Sequence, residues 1–294
     1  MTVHDHSSGA GISSDVILAL PFAFALVFYV VCALVQWRRG RPWPWFRSAA
    51  WTAGIVAAAT GFIGPLAAAS HGDFVAHMWT HLLVGMAAPP LLVLGAPITL
   101  ILRSIDVGAA RRLSRALRSW PARFFTAPVT AAILTIGGMW MLYATPLYAE
   151  MQGSVLVHLA IMTHLFVAGY LFTAAIIPVD PAPHRAGFAL RTVVMIVVLA
   201  AHGILAKTLY AHPPEGVSAI DAQAGAQLMY YAGDVIDAVI IVVLCAQWYR
   251  ASGRNLRKAV GHPSGGSAAA DGAAKNSVTK PLHSLSRRYR VIAR

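Results

Sequence analysis

Charged residues are scarce in this sequence of 294 residues. Asp, Glu, Lys and Arg together make up 12% of it, about half the share that is typical of a soluble globular domain (~25%). Five stretches contain none of these four residues: 16–37, 48–72, 74–102, 124–149 and 151–179. Their apolar residues also lack the regular polar interruptions that mark half-buried elements of soluble folds. The composition therefore excludes an ordinary soluble domain.

Cysteine is also nearly absent. The two cysteines, Cys32 and Cys245, are far apart in the sequence, and no C-x-x-C pair occurs. Each stands near the end of an apolar segment that the distribution of basic residues places on the cytoplasmic side, where thiols stay reduced. We therefore expect no disulfide, and both residues are read as small apolar side chains in packed or lipid-facing positions.

Long apolar segments are abundant instead. Two more, at 192–210 and 226–248, are equally apolar but include Lys207 and the pair Asp234 and Asp237. A helix needs ~20 residues to cross a hydrocarbon core ~30 Å thick, and lipid offers no partner for an open strand edge. The sequence therefore predicts an all-α polytopic membrane protein with seven transmembrane helices over residues 15–250. Residues 1–14 are predicted to be a disordered outer N-terminus, and 251–294 a disordered basic cytoplasmic tail.

The basic residues follow one side of this predicted topology. All but one of the 23 Lys and Arg residues lie in the segments after the first, third, fifth and seventh apolar stretches, and Lys207 is the exception. Because positive segments remain in the cytoplasm, the N-terminus is predicted outside and the tail inside. The net charge of +12 is thus explained by membrane sidedness and an anionic lipid surface, and not by nucleic acid. We expect a multi-pass protein of a bacterial cell membrane.

Two local features are informative. Pro89, Pro90 and Pro97 interrupt the third apolar segment, which predicts a kink or short break near Pro89 and Pro90. The stretch 103–123 carries six arginines and is predicted to form a basic amphipathic helix on the inner membrane surface.

Ionisable residues in the predicted spans all fall in the outer half of the bilayer. Seven of them lie on four helices: His77, His81, His158, His164, His202, Asp234 and Asp237. His77 and His81 are one turn apart and share a helix face, whereas His158 and His164 point ~120° apart. Imidazole and carboxylate together suit zinc, copper or iron, and nearby Met78, Met86 and Met162 would favour Cu(I). A hydrogen-bonded network between helices and a proton or ion path are the alternatives.

Four motifs carry a family resemblance. They are HMWTHLLVGMAAPPLLVLGAP, HLAIMTHLFVAGYLF, AAHGILAKTLY and QLMYYAGDVIDAV, which together cover roughly residues 50–250. With this order and spacing the chain resembles the multi-spanning CtaG-type cytochrome c oxidase assembly factors of bacteria. Single-span copper chaperones that have carried the same name use an extracytoplasmic cysteine pair, which is absent here.

The resemblance implies a role in the maturation of haem–copper oxidases through copper delivery to the catalytic subunit. It maps metal-binding positions onto His77, His81, His158, His164, His202 and Asp234. We accordingly predict a copper-binding assembly factor whose partners are the oxidase catalytic subunit and the lipid bilayer. Such a factor needs no catalytic residues, so no enzyme activity is expected. The alternatives are an intramembrane zinc-dependent hydrolase with a His/Asp site and a metal or proton transporter.

Overall fold

A computed structural model describes residues 14–182 and 184–260. Within these residues the chain is all-α and contains no β-strand. The helices are α1 (Ser14–Arg38), α2 (Trp45–Ala59), α3 (Pro65–Ala69), α4 (Phe74–His81), a π-helical turn (Leu82–Ala87), α5 (Ala88–Leu94), α6 (Pro97–Ser104), α7 (Val107–Leu117), α8 (Trp120–Phe125), α9 (Pro128–Ala144), α10 (Leu147–Gly153), α11 (Val155–Ile176), α12 (Phe188–Ala211) and α13 (Ala219–Val260). The all-α architecture predicted from the sequence is confirmed.

Five helical stretches in the described part of the chain are long and apolar enough to cross a membrane. They are Asp15–Arg38, Phe74–Leu94, Val155–Ile176, Phe188–Ala211 and Ala219–Arg254. Helices α9 and α10 add a sixth if the pair, bent by 80°, counts as one span. Several apolar helices of membrane-spanning length are therefore present, in the positions of the first, third, fifth, sixth and seventh predicted spans.

The second predicted span, 48–72, is divided. Helix α2 covers 15 residues and α3 only five, so neither reaches the ~20 residues of a full crossing. Gly64, with φ of 85°, and Pro65 stand at the start of α3, where a left-handed glycine followed by proline ends one helix direction and begins another. Gly61 also permits close packing, because a Cβ there would overlap the Val84 side chain.

The third predicted span has two irregularities. The π-helical turn precedes Pro89 and Pro90, which occupy the first turn of α5, so the predicted kink takes the form of a π turn. The clear break comes later, at Ala96, whose φ is 49°. Because Pro97 follows, the right-handed helical conformation is disfavoured at Ala96. The Asp180 carboxylate then caps α6 by accepting from the backbone N–H groups of Ile98 and Thr99, at 3.1 and 2.7 Å.

Helix α11 is central to the packing and contacts α5, the π turn, α9 and α12. At its closest approach a Cβ on Gly169 would overlap the Gly85 carbonyl oxygen, so only glycine fits there without a backbone shift. Buried methionines Met78, Met162 and Met229 belong to one apolar core, and their unbranched side chains fill irregular gaps between helices. This packing holds the π turn against α11, where the candidate site lies.

Side-chain hydrogen bonds to backbone carbonyls attach α1 to α6 and to the turn between α5 and α6. Tyr29 Oη donates to the Gly95 carbonyl at 2.8 Å, and Gln36 Nε2 donates to the Arg103 carbonyl at 2.8 Å.

Cys32 on α1 is buried and Cys245 on α13 is exposed, and both are free thiols.

Helix α13 runs beyond the predicted start of the tail and continues to Val260. The compact membrane unit ends at Tyr249, and the described residues beyond it, 250–260, belong to a separate unit. The remaining predicted tail, 261–294, and the predicted outer N-terminus up to residue 13 lie outside the described residues.

Candidate functional site

A small cavity opens between the π turn and helices α9, α11, α12 and α13. Its volume is about 40 Å³, which exceeds the ~10–15 Å³ that a single bound water requires. The polar and sulfur-bearing side chains in its wall are His81, Met86, Thr135, Met139, Thr173, His202 and Asp237. These side chains come from elements far apart in the sequence, so the helix packing assembles the cavity.

His81 and His202 are the buried imidazoles of this cavity. His81, the last residue of α4, is 1% exposed, and His202 on α12 is 3% exposed. Their ring centroids are 6.5 Å apart, with planes inclined by 22°. Both ring nitrogens of His81 and Nε2 of His202 are buried without a hydrogen-bond partner. An unpaired buried polar group costs ~1–3 kcal/mol, so three at one cavity point to a ligand that would use them.

Asp237 on α13 is the carboxylate in the cavity wall. It is 5% exposed, whereas Asp234, the predicted acidic ligand, lies on the exposed face of the helix. The buried stripe of α13 includes Ala222, Ala226, Met229, Gly233, Asp237, Ile240 and Leu244. Gly233 lets α13 approach α12 closely, since a Cβ there would lie 2.7 Å from His202 Cε1. These residues are three or four positions apart, and this helical spacing is the signal in the sequence that could have placed Asp237 on the buried face of α13.

His77 lies one turn before His81 on α4 and is fully buried. Its Nε2 hydrogen-bonds Tyr143 Oη at 3.0 Å, and its ring stands edge-on to Tyr148, with centroids 5.2 Å apart. Its Nδ1 has no partner. Neither tyrosine was predicted from the sequence, because both fall in the fourth predicted span and nothing in its apolar pattern indicates which helix they face.

His158 is buried near the start of α11 and stacks on His71. The ring centroids are 4.2 Å apart and the planes differ by 13°, while His71 Nδ1 donates to the Ala67 carbonyl at 3.0 Å. An imidazole binds a metal ion in its own ring plane, so two nearly parallel stacked rings do not face one ion. His158 Nδ1 is buried without a partner.

His164 points away from the cavity. It is exposed, and its Nε2–H donates to the Leu134 carbonyl on α9 at 3.1 Å. The ring covers Gly138, where an added Cβ would overlap Nε2. The different directions of His158 and His164 agree with the ~120° between them that helical geometry predicts.

The six predicted metal-binding residues are thus distributed over several places. Among the residues that the structure describes, no group of three or more His, Cys, Asp or Glu side chains is close enough to hold one metal ion. His81 and His202 share the cavity with Asp237, and His77 lies one turn away, while His158, His164 and Asp234 lie elsewhere. Metal binding by these residues stays a prediction.

Comparison with known proteins gives one family. The model of the cytochrome c oxidase caa3 assembly factor family matches residues 27–251. An uncharacterized protein of Mycobacterium leprae (strain TN) is 31% identical over 252 residues, covering 78% of this chain and 38% of the relative. An uncharacterized protein of Mycobacterium bovis (strain ATCC BAA-935 / AF2122/97) is 31% identical over 234 residues, covering 72% of this chain and 35% of the relative.

This chain spans little more than a third of the length of these curated relatives. No solved structure matches it. The family match covers every residue that lines the cavity, from His81 to Ile240, and confirms the resemblance drawn from the four motifs. The chain belongs to the cytochrome c oxidase caa3 assembly factor family.

Proposed function

We propose that this protein binds a copper ion in the membrane and passes it to the catalytic subunit of a cytochrome c oxidase. The family to which it belongs assembles cytochrome c oxidase, and copper is the cargo that the available side chains fit best. The observation that carries the proposal is the cavity where His81, His202 and Asp237 meet, with three ring nitrogens uncommitted to any hydrogen bond.

The donor set suits copper chemically. Neutral imidazole binds copper well, and thioether ligands select Cu(I) over harder ions. Met86 lines the same cavity as the two histidines, so imidazole, thioether and carboxylate donors are available together. The 6.5 Å between the two imidazole centroids leaves the resting site open, and uptake would draw the rings toward the ion. A carrier that must release its cargo needs such an adjustable site more than a closed coordination shell.

The proposed topology has seven crossings, with the N-terminus outside and the C-terminal end in the cytoplasm of a bacterial cell. Helices α2 and α3 together form the second crossing, and α9 with α10 the fourth. The distribution of arginines between alternate segments supports this orientation. It puts the copper cavity in the outer half of the bilayer, at a depth suited to loading a metal centre buried in another membrane protein.

A deletion strain tests this function. We expect loss of cytochrome c oxidase activity, restoration by the wild-type gene, and partial restoration by added copper because mass action then replaces the carrier. Normal oxidase activity in the deletion strain would contradict an assembly role. If the purified protein holds zinc tightly and no copper, the intramembrane zinc-dependent hydrolase becomes the better account.

A further inference from the structure

Five arginines surround an open groove at the end of the molecule where α6 meets α7. The groove has a volume of about 750 Å³, and its arginines are Arg41, Arg103, Arg111, Arg115 and Arg118. All five side chains are exposed. Between them the wall is apolar and includes Leu102, Ile105 and Val107. The groove therefore combines concentrated positive charge with a hydrophobic floor.

The local sequence brings these charges together. Arg111, Arg115 and Arg118 are spaced i, i+4 and i+7, which aligns them along one face of α7 and its C-cap. Arg103 lies in the last turn of α6, where its carbonyl accepts from Gln36 Nε2 at 2.8 Å and from Arg39 Nη1 at 3.1 Å. These bonds fix the end of α6 to α1.

The cluster has a single acidic neighbour in the sequence. Asp106 is the one acidic residue in the stretch 103–123, and its carboxylate accepts from the Ala109 N–H at 2.8 Å to cap α7. Like charges one turn apart on a helix repel. A bound anion would relieve that repulsion, and phosphate matches the guanidinium fork in both charge and geometry.

The neighbouring side chains indicate whether this phosphate is a free ion or a lipid headgroup. The Arg103 guanidinium lies 5.7 Å from the centroid of the Trp43 ring, and Trp45 and Trp120 at the same end of the helices are 79% and 74% exposed. Exposed tryptophans beside arginines are typical of the membrane–water interface. An apolar floor has no use for a free inorganic anion but fits an acyl chain.

From these contacts we propose that the arginine groove binds one anionic phospholipid. The arginines hold the headgroup phosphate, and Leu102, Ile105 and Val107 contact the upper part of an acyl chain. This site is independent of the copper cavity and would anchor the α6–α7 corner to the anionic leaflet.

The test uses the purified full-length chain and phosphatidylglycerol as the probe, with bound lipid counted by native mass spectrometry. Wild type should bind phosphatidylglycerol at least tenfold more tightly than phosphatidylcholine. Replacing Arg111 and Arg115 together, Arg111→Gln and Arg115→Gln, should lower the affinity for phosphatidylglycerol about 25-fold, because each arginine that faces the headgroup phosphate contributes roughly a fivefold factor. Glutamine keeps a high helix propensity, so α7 should still form.

The matched control removes the same charge outside the groove. Arg112 lies on α7 and Arg123 on α8, both are exposed, and the double variant Arg112→Gln, Arg123→Gln should retain wild-type affinity within about twofold. Equal losses in the two double variants would show nonspecific charge attraction and overturn the proposal. Displacement of phosphatidylglycerol by equimolar inorganic phosphate would also overturn it, since the site would then recognise free phosphate.

Discussion

His81 and His202 present buried ring nitrogens to a cavity without protein partners for them. In a core held together by apolar packing, such atoms are destabilising unless a ligand or water uses them. These three atoms from two residues, together with the buried carboxylate of Asp237, are the donor atoms that the cavity offers to a ligand. His77 differs, because Tyr143 already occupies its Nε2, which leaves only Nδ1 without a partner.

The two aspartates of α13 should behave differently. Asp237 lines the cavity and Asp234 is exposed, so Asp237→Asn should weaken copper binding by roughly 10–100-fold, as the loss of a close carboxylate does at metal sites. Asp234→Asn is the matched control and should leave the affinity within about twofold. Competition titration against a Cu(I) chelator measures both. A larger loss for Asp234→Asn would place the acidic ligand on the other face of α13.

At the scale of elements, close helix contacts determine where the site lies. The π-helical turn follows His81 directly and packs against α11. Because a π turn inserts an extra residue into the helix, it rotates the next helical segment, and such turns are frequent at functional sites. Gly169 on α11 makes that contact possible through its approach to the Gly85 carbonyl.

Gly169→Ala should therefore destabilise the protein. Its Cβ would overlap a backbone oxygen that cannot rotate away, and overpacking of this kind costs typically ~1–3 kcal/mol. We expect a lower thermal unfolding midpoint in detergent and less protein in the membrane. Gly137→Ala on α9 is the control, because a Cβ there meets nothing within 4 Å. Identical midpoints for the two variants would show that the α11 contact is looser than the structure indicates.

The sequence indicated these elements to different degrees. Long apolar runs located every described helix of membrane-spanning length, because a hydrocarbon core requires about 20 mostly apolar residues. The division of residues 48–72 into α2 and α3 escaped that criterion, since glycine and proline at 64 and 65 are themselves apolar. Depth along a helix could be estimated from the rise per residue, which grouped His81 with His202, and these two rings do share the cavity. The direction of each side chain depends on neighbouring helices, so the sequence alone does not show that His158, His164 and Asp234 lie outside this cavity.

At the scale of the whole molecule, the exposed positive charge and the buried histidines belong to opposite sides of the predicted topology. The exposed arginines cluster at the ends of α1, α6 and α7, while the buried histidines belong to the stretches that the predicted topology places near the other surface. This polarity suits a protein anchored at the inner leaflet that handles its cargo from the outer side.

Reporter fusions measure that topology. Reporters active only outside the cytoplasm should give signal after Gly72, Gln152 and Gly216, and none after Gly40, Ser114, Ala186 and Ser252. The informative pair flanks α2 and α3. If these two short helices do not cross the bilayer, the fusions after Gly40 and Gly72 will report the same side, and the seven-span topology fails.

The central claim is that the cavity of His81 and His202 binds copper, and the copper content of the purified protein tests it most directly. Wild type incubated with Cu(I) under reducing conditions and then desalted should retain a stoichiometric amount. His81→Ala and His202→Ala should retain almost none while still accumulating in the membrane. Trp79→Phe, on the same helix as His81 but half exposed, should match the wild type. Copper retention that is equal in all four proteins, or absent from the wild type, would contradict the account.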